Sequence, residues 1–375
     1  MQPKAARNIS IEALRLIAVA GIAVFHTFQW TFQATCVGLP EYVPLAAFPH
    51  SGVLGFINLL GCWANEVFFM ISGYFLIASA ARAWDGGATW KSQMQRTAQR
   101  LGKVVMPTAF YCLVALAWST VVSPIPDVTL STHYWYTLGL EFIWVYAATV
   151  FMAPWFGLAK SRLSQKSYTT TVIAVGILAF VVNGYLAAMS ATSAGEFSWL
   201  QKLMSAVTYV IAFLIGGLLR DVTETMDSDK VGTLGMRSLA AVLAIATILE
   251  GVLSFTGNLT AMTTLSYKLT SLISFALAAA SLLFAATRRS ASGNPRTAGV
   301  IVTLSTATLG FYVMQSLTSS LWRPVFNTLL ANILVSQNSP AATCIITGTV
   351  ISIVFALALL IIDAARSHIV RKPKR

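Results

Sequence analysis

Long apolar runs, each near twenty residues, alternate with short polar breaks along the whole chain. A helix rising 1.5 Å per residue needs about twenty apolar residues to cross the roughly 30 Å hydrocarbon core of a bilayer. Runs of this kind lie at roughly 12–31, 56–80, 104–122, 134–157, 170–189, 203–219, 238–256, 269–287, 299–319 and 342–363. Strands of a membrane barrel would instead alternate polar and apolar positions over about ten residues. The pattern therefore predicts an all-α integral membrane protein, a bundle of about ten transmembrane helices forming one domain over 1–375. The breaks at 32–55, 82–103, 220–237 and 320–341 are too short to fold as soluble domains. Pro40, Pro44 and Pro49 make 32–55 an expected irregular loop. Glu12 and Arg15 interrupt the first run and no A-x-A site follows it, so it is expected to stay as a helix rather than be cleaved.

Composition agrees with lipid as the main solvent. The chain is 56% hydrophobic and 10% charged, with a mean hydropathy of +0.71; a soluble domain carries roughly 25% charged residues. Charge then orients the bundle. With the N-terminus inside, all of the 25 basic residues except Lys202, Lys268 and Arg323 fall on inner segments, as the positive-inside rule requires. Both chain ends are thus expected in the cytoplasm, with the protein in the cell membrane. The net charge of +12 is accounted for by this asymmetry and by anionic headgroups, and its spread over several segments argues against nucleic-acid binding. Cys36, Cys62, Cys112 and Cys344 show neither metal spacing nor a disulfide framework. No P-loop is present, and no repeat of hydropathy of the kind that marks many carriers.

Ionisable groups at membrane depth are costly and point to function. Arg15, His26, Glu66, Glu141 and Glu250 are such groups, with Gln315 as an uncharged companion. From Arg15 to His26 the helix turns about 20° more than three full turns and rises about 16 Å, so both share one face. His26 lies about 21 Å, and Glu66 about 22 Å, from the inner ends of their helices. A carboxylate at the depth of an imidazole can fix its tautomer and raise its basicity; the plainer reading is a structural ion pair. Arg100 and Lys103, three apart ahead of Pro107, present two cations on one face. The run His133-Tyr134-Trp135-Tyr136 suits an interfacial belt.

Together these segments resemble the acyltransferase-3 family of bacterial membrane acyltransferases, which O-acylate surface polysaccharides and related glycans. The resemblance rests on Arg15-x10-His26 within ALRLIAVAGIAVFH and on Glu66 in NEVFFMISGYFL. It continues in Arg100-x-x-Lys103 before Pro107, HYWY with His133, and TLGFYVMQS with Gln315. It covers nearly the whole chain and implies transfer of an acyl group, acetyl above all, from acyl-CoA to a glycan hydroxyl without a metal. It further implies His26 and Glu66 as catalytic groups, Arg15, Arg100 and Lys103 at the donor's phosphates, and His133, Trp135, Glu141 and Gln315 near the acceptor. Three positions depart from the family pattern: Lys103 replaces an arginine, Glu66 an aspartate, and Gln315 a frequent histidine. Lysine keeps the charge but loses the bidentate fork. The competing reading is a polysaccharide or lipid transporter, or a proton-coupled carrier, with His26 and Glu66 as a relay.

The charge asymmetry has a direct consequence. Cysteines introduced into 82–103 or 366–375 are expected to resist a membrane-impermeant thiol reagent in intact cells, whereas those in 32–55 and 320–341 label. Outside labelling within 82–103 would reverse the orientation.

Overall fold

In hydrocarbon a backbone finds no water, so every N–H and C=O must bond within the segment, and helix is the local solution for an apolar run. The computed structural model describes residues 7–126, 128–129, 140–190, 198–266, 271–288, 294–336 and 340–370, and among these there is no strand. The helices are α1 (Ile9–Val37), a 3₁₀ turn (Pro40–Tyr42), α2 (Val43–Ala46), α3 (His50–Asp85) and α4 (Trp90–Val121). There follow α5 (Glu141–Arg162), α6 (Gln165–Ser190), α7 (Ser198–Thr225), α8 (Ser228–Phe255) and α9 (Leu259–Ser266). The chain ends with α10 (Leu272–Thr287), α11 (Pro295–Ser305), α12 (Thr308–Leu317), α13 (Ser319–Ser336) and α14 (Pro340–Val370).

Eight of the described helices are long and apolar enough to span a membrane, or nine if α11 and α12 count as one bent span. The run at 269–287 becomes α10, whose 16 residues rise only about 24 Å. The chain is a multi-pass, all-α membrane protein. Among the described residues the four expected breaks are largely helical instead: only 86–89 of 82–103 and 226–227 of 220–237 lie outside a helix. In 32–55, α1 continues to Val37 and α3 begins at His50, because Pro40 and Pro44 sit in first turns where the missing N–H costs nothing. In 320–341, α13 packs against α14 and α1.

Local signals set the ends of α1. The Asn8 side chain accepts from the N–H groups of Ser10 and Ile11 at 2.9 and 3.3 Å, and its Nδ2 donates to the Ala286 carbonyl at 3.2 Å, tying α1 to α10. Gly38, at φ 78°, closes the other end in the left-handed conformation.

The 36-residue α3 is the central post, packed by α7, α1, α5 and α10. Between apolar helices in lipid there is little hydrophobic drive, so small residues that admit close backbone approach decide the contact. A Cβ at Gly73 would overlap the Phe213 carbonyl, one at Gly216 the Met70 carbonyl, and one at Gly157 the Ala80 side chain. Trp84 Nε1 donates to the Pro154 carbonyl at 2.9 Å, fixing α5 beside α3.

The run at 299–319 is broken. α11 and α12 meet at 43° around Thr306-Ala307. Hydroxyls crowd the break: Ser305 donates to the Val302 carbonyl, Thr306 to Thr303 and Thr308 to Ser305, in competition with the backbone ladder. Hydropathy had shown no broken helix here, because the composition on both sides is uniformly apolar.

Substituting Gly216 by leucine is expected to push α7 off α3. Overpacking of a tight core costs about 1–3 kcal/mol or more, so a lower thermal midpoint in detergent should result. Gly184→Ala, where nothing lies within 4 Å of the added carbon, serves as the control and should leave the midpoint unchanged or raise it.

Candidate active site

A cavity of about 810 Å³ opens between α1, α3, α4, α5, α11, α12 and α14, within the size range of ligand pockets. Its described lining carries five cations, Arg7, Arg15, Arg100, Lys103 and Arg366, with one carboxylate, Asp363. It also carries the aromatic side chains Phe68, Phe142, Tyr146, Phe311 and Tyr312. Ser305, Thr306 and Thr308 from the α11–α12 break also line it, and irregular backbone at membrane depth is tolerated where it faces such a cavity.

The three cations expected to act together, Arg15, Arg100 and Lys103, thus share one wall system. Their helices hold them differently. Arg15 Nη1 bonds Glu12 Oε2 at 2.8 Å, a pair three residues apart on α1. Arg100 Nη2 donates to Ser79 Oγ at 3.3 Å, reaching from α4 to α3. Lys103 is exposed and forms no salt bridge among the described residues.

Arg366 is the most firmly placed cation. Its Nε donates to Asp363 Oδ1 at 2.7 Å, and Tyr111 Oη donates to the same oxygen at 2.7 Å. Asp363 is 1% exposed and fits only because Gly310 on α12 has no side chain. The guanidinium also lies over the rings of Phe110 and Tyr111, 5.6 and 5.4 Å from their centroids. Sequence reasoning counted Arg366 only as a topogenic charge. The signal was available in the i, i+3 pair Asp363 and Arg366 at the end of an apolar run.

Along α1, Arg15, Val19 and Ile22 line the cavity at i, i+4 and i+7. His26 continues the stripe one turn beyond Ile22, about 6 Å further. Arg323 Nη2, from α13, donates to His26 Nδ1 at 3.2 Å.

The family model described as "Acyltransferase domain" (Acyl_transf_3) matches residues 8–359. The chain belongs to the acyltransferase-3 family. No curated protein and no solved structure is significantly similar to it.

The remaining expected site residues of this acyltransferase are scattered. Glu66 is fully buried; Cys62 Sγ donates to its Oε1 at 3.3 Å, and its Oε2 has no hydrogen-bond partner. Glu66, Met70, Gly73 and Ile77 recur at i, i+4, i+7 and i+11, and the last three meet α7 at Gly216, Phe213 and Gly217. The cavity is lined instead by Phe68, Ser72 and Leu76, and Glu66 lies about 160° around the helix from Phe68. The expected match in depth with His26 is not seen either: Gly21 of α1 faces Leu60 and Trp63 of α3, and Gly61 faces Phe25, so the part of α3 level with His26 lies near Leu60, more than a turn from Glu66. The hydrogen bond at His26 Nδ1 comes from Arg323. Asn65, missed in the sequence, falls within about 20° of Ser72 and Leu76. It is half-buried, donates to Tyr209 Oη at 3.2 Å and leaves Oδ1 without a partner.

Gln315 is buried on α12 with Nε2 unpartnered, while its carbonyl accepts from Trp322 Nε1 at 2.9 Å. Glu141 is not at depth: it is exposed in the first turn of α5, where a negative charge suits the helix dipole. Glu250 is buried on α8 against Gly55 with neither oxygen bonded. Gly55 lies about 20 Å along α3 from Phe68, so Glu250 stands apart from the cavity. His133 and Trp135 lie outside the described residues.

Proposed function

We propose that this acyltransferase moves an acyl group, acetyl above all, from acyl-CoA to a hydroxyl of a cell-surface polysaccharide or its lipid-linked precursor. One observation carries the reading. A single cavity gathers Arg15, Arg100 and Lys103 in its lining together with Val19 and Ile22, and the α1 stripe they belong to continues toward His26. The chemistry of a long donor with a charged head and a slender arm suits that arrangement.

In this reading the donor's phosphates meet these cations, where charge-assisted bonds are roughly twice as strong as neutral ones. Arg366, held by Asp363 and Tyr111, adds a pre-set guanidinium to the group. The pantetheine arm runs along α1 beside Phe68, Phe142 and Tyr312 and sets the thioester near His26. His26 then removes the proton of the acceptor hydroxyl as it attacks. The envelope glycan as acceptor and the cytoplasm as the donor's side follow from the family resemblance and from the charge asymmetry.

A carrier remains the second reading, because the broken α11–α12 segment lines the cavity as unwound helices do in transporters. Among the described residues no second bent pair mirrors it. Release of free thiol from acetyl-CoA by the purified protein favours the enzyme; its absence alongside flux of a glycolipid would favour the carrier.

Two outcomes follow for variants in nanodiscs. Alanine at Arg15, Arg100 or Lys103 should weaken CoA binding about ten- to hundredfold each, since a hydrogen bond to a charged group is worth about 1.5–3 kcal/mol. Lys103→Arg should preserve or tighten it, and equilibrium binding to CoA is the check. His26→Ala should lower acyl transfer by about 10²–10⁴-fold, the usual loss on removing a general base. It should leave CoA affinity and the elution profile unchanged. Near-normal turnover would make His26 structural.

A further inference from the structure

We propose that Arg323 is a catalytic residue of this acyltransferase, whose guanidinium holds the oxyanion formed at the thioester carbonyl while His26 Nδ1 takes the acceptor's proton. The proposal rests on the acyl-transfer reading above.

The first step is the tautomer. Arg323 Nη2 lies 3.2 Å from His26 Nδ1. A guanidinium has donors only, so Nδ1 must accept, and the proton of the neutral ring sits on Nε2. A base needs a lone pair, so Nδ1 is the reactive atom of this imidazole. The reacting hydroxyl must then come to the place that Nη2 holds in the unliganded protein.

The second step concerns what the guanidinium lacks. Among the described residues Arg323 forms no salt bridge, and its Nε–H is buried without an acceptor. Leaving a charged donor buried and unused costs more than leaving a neutral one. Nε and Nη2 share one edge of the planar group, so the unused N–H lies next to the nitrogen that bonds Nδ1. An anion seated on this edge would accept from both and lie beside the base. Tyr312, which lines the cavity, is within electrostatic reach of Arg323. Once the hydroxyl takes the place of Nη2 at Nδ1, both donors of this edge are available to the carbonyl oxygen, and donors aimed where negative charge develops stabilise acyl-transfer transition states.

The step balances. The hydroxyl oxygen attacks the thioester carbon, its proton passes to Nδ1, and the carbonyl electron pair moves to oxygen, where Arg323 meets it. Collapse re-forms the carbonyl and expels the CoA thiolate, which takes the proton from Nδ1 and leaves as the thiol. The products are the ester and free CoA.

The test uses full-length protein in nanodiscs with acetyl-CoA as donor and water as acceptor, scored by thiol release and by CoA affinity. Removing an oxyanion donor costs about 10²–10³-fold, so Arg323→Gln is expected to lower the maximal rate of thiol release by this factor with CoA affinity within about twofold. Arg323→Lys should recover part of the loss, and added guanidinium ion should partly rescue Arg323→Ala. A charged residue that only props α13 would show neither recovery. Thiol release at the wild-type rate in Arg323→Gln would overturn the proposal, as would a fall in CoA affinity that matches the fall in rate. Loss confined to the apparent affinity for a sugar acceptor would do the same, marking Arg323 as an acceptor contact. Should Arg323→Gln fail to fold, Arg323→Lys carries the rate and affinity comparison. Wild-type protein that neither binds nor turns over acetyl-CoA would overturn the acyl-transfer reading itself, and this assignment with it.

Discussion

The close contact of α3 with α7 governs the rest of the architecture. In lipid, helices gain little from hiding apolar surface from one another, and association depends on how closely backbones approach. Gly73 and Gly216 let each helix press on a carbonyl of the other, at Phe213 and Met70. That contact consumes one face of α3 and leaves the Phe68–Ser72–Leu76 face to line the cavity. The rotation of this one helix thereby decides which polar residues of the NEVFF segment meet the ligand space and which are packed away. Glu66 is packed away beside Cys62, and Asn65 bonds Tyr209 of α7.

Electrostatics follows the same division. Cations gather in the lining of the cavity, and among the described residues its one carboxylate, Asp363, bonds Arg366. The gap at Gly310 that admits Asp363 is as much a part of this arrangement as the arginines are. Elsewhere, Arg323 Nη2 donates to His26 Nδ1, and the Arg323 guanidinium lies 5.5 Å from the Trp322 ring centroid.

The break between α11 and α12 fits this picture. Three hydroxyls divert backbone carbonyls at the 43° bend, and those same residues line the cavity. A straight helix would present only side chains there. The bend brings polar groups into the cavity wall.

Relations inside one helix were determined by the sequence itself. The period of 3.6 residues is a property of the backbone, so the stripe of Arg15, Val19, Ile22 and His26 and the membrane class could be read without knowing any neighbour. Distance along a single helix was legible too, because rise per residue is constant; the level of one helix against another was not. Rotation was not. Which way α3 turns Glu66 depends on glycine contacts with α7, more than a hundred residues away in the chain. The meeting of Arg323 with His26 depends on a segment whose mixed polarity reads as a loop and which instead folds as α13. Likewise Arg366 joins Arg15 and Arg100 only because α14 packs beside α1 and α12. Local geometry sets the order of groups along a helix, but only packing against other helices sets the direction each one faces.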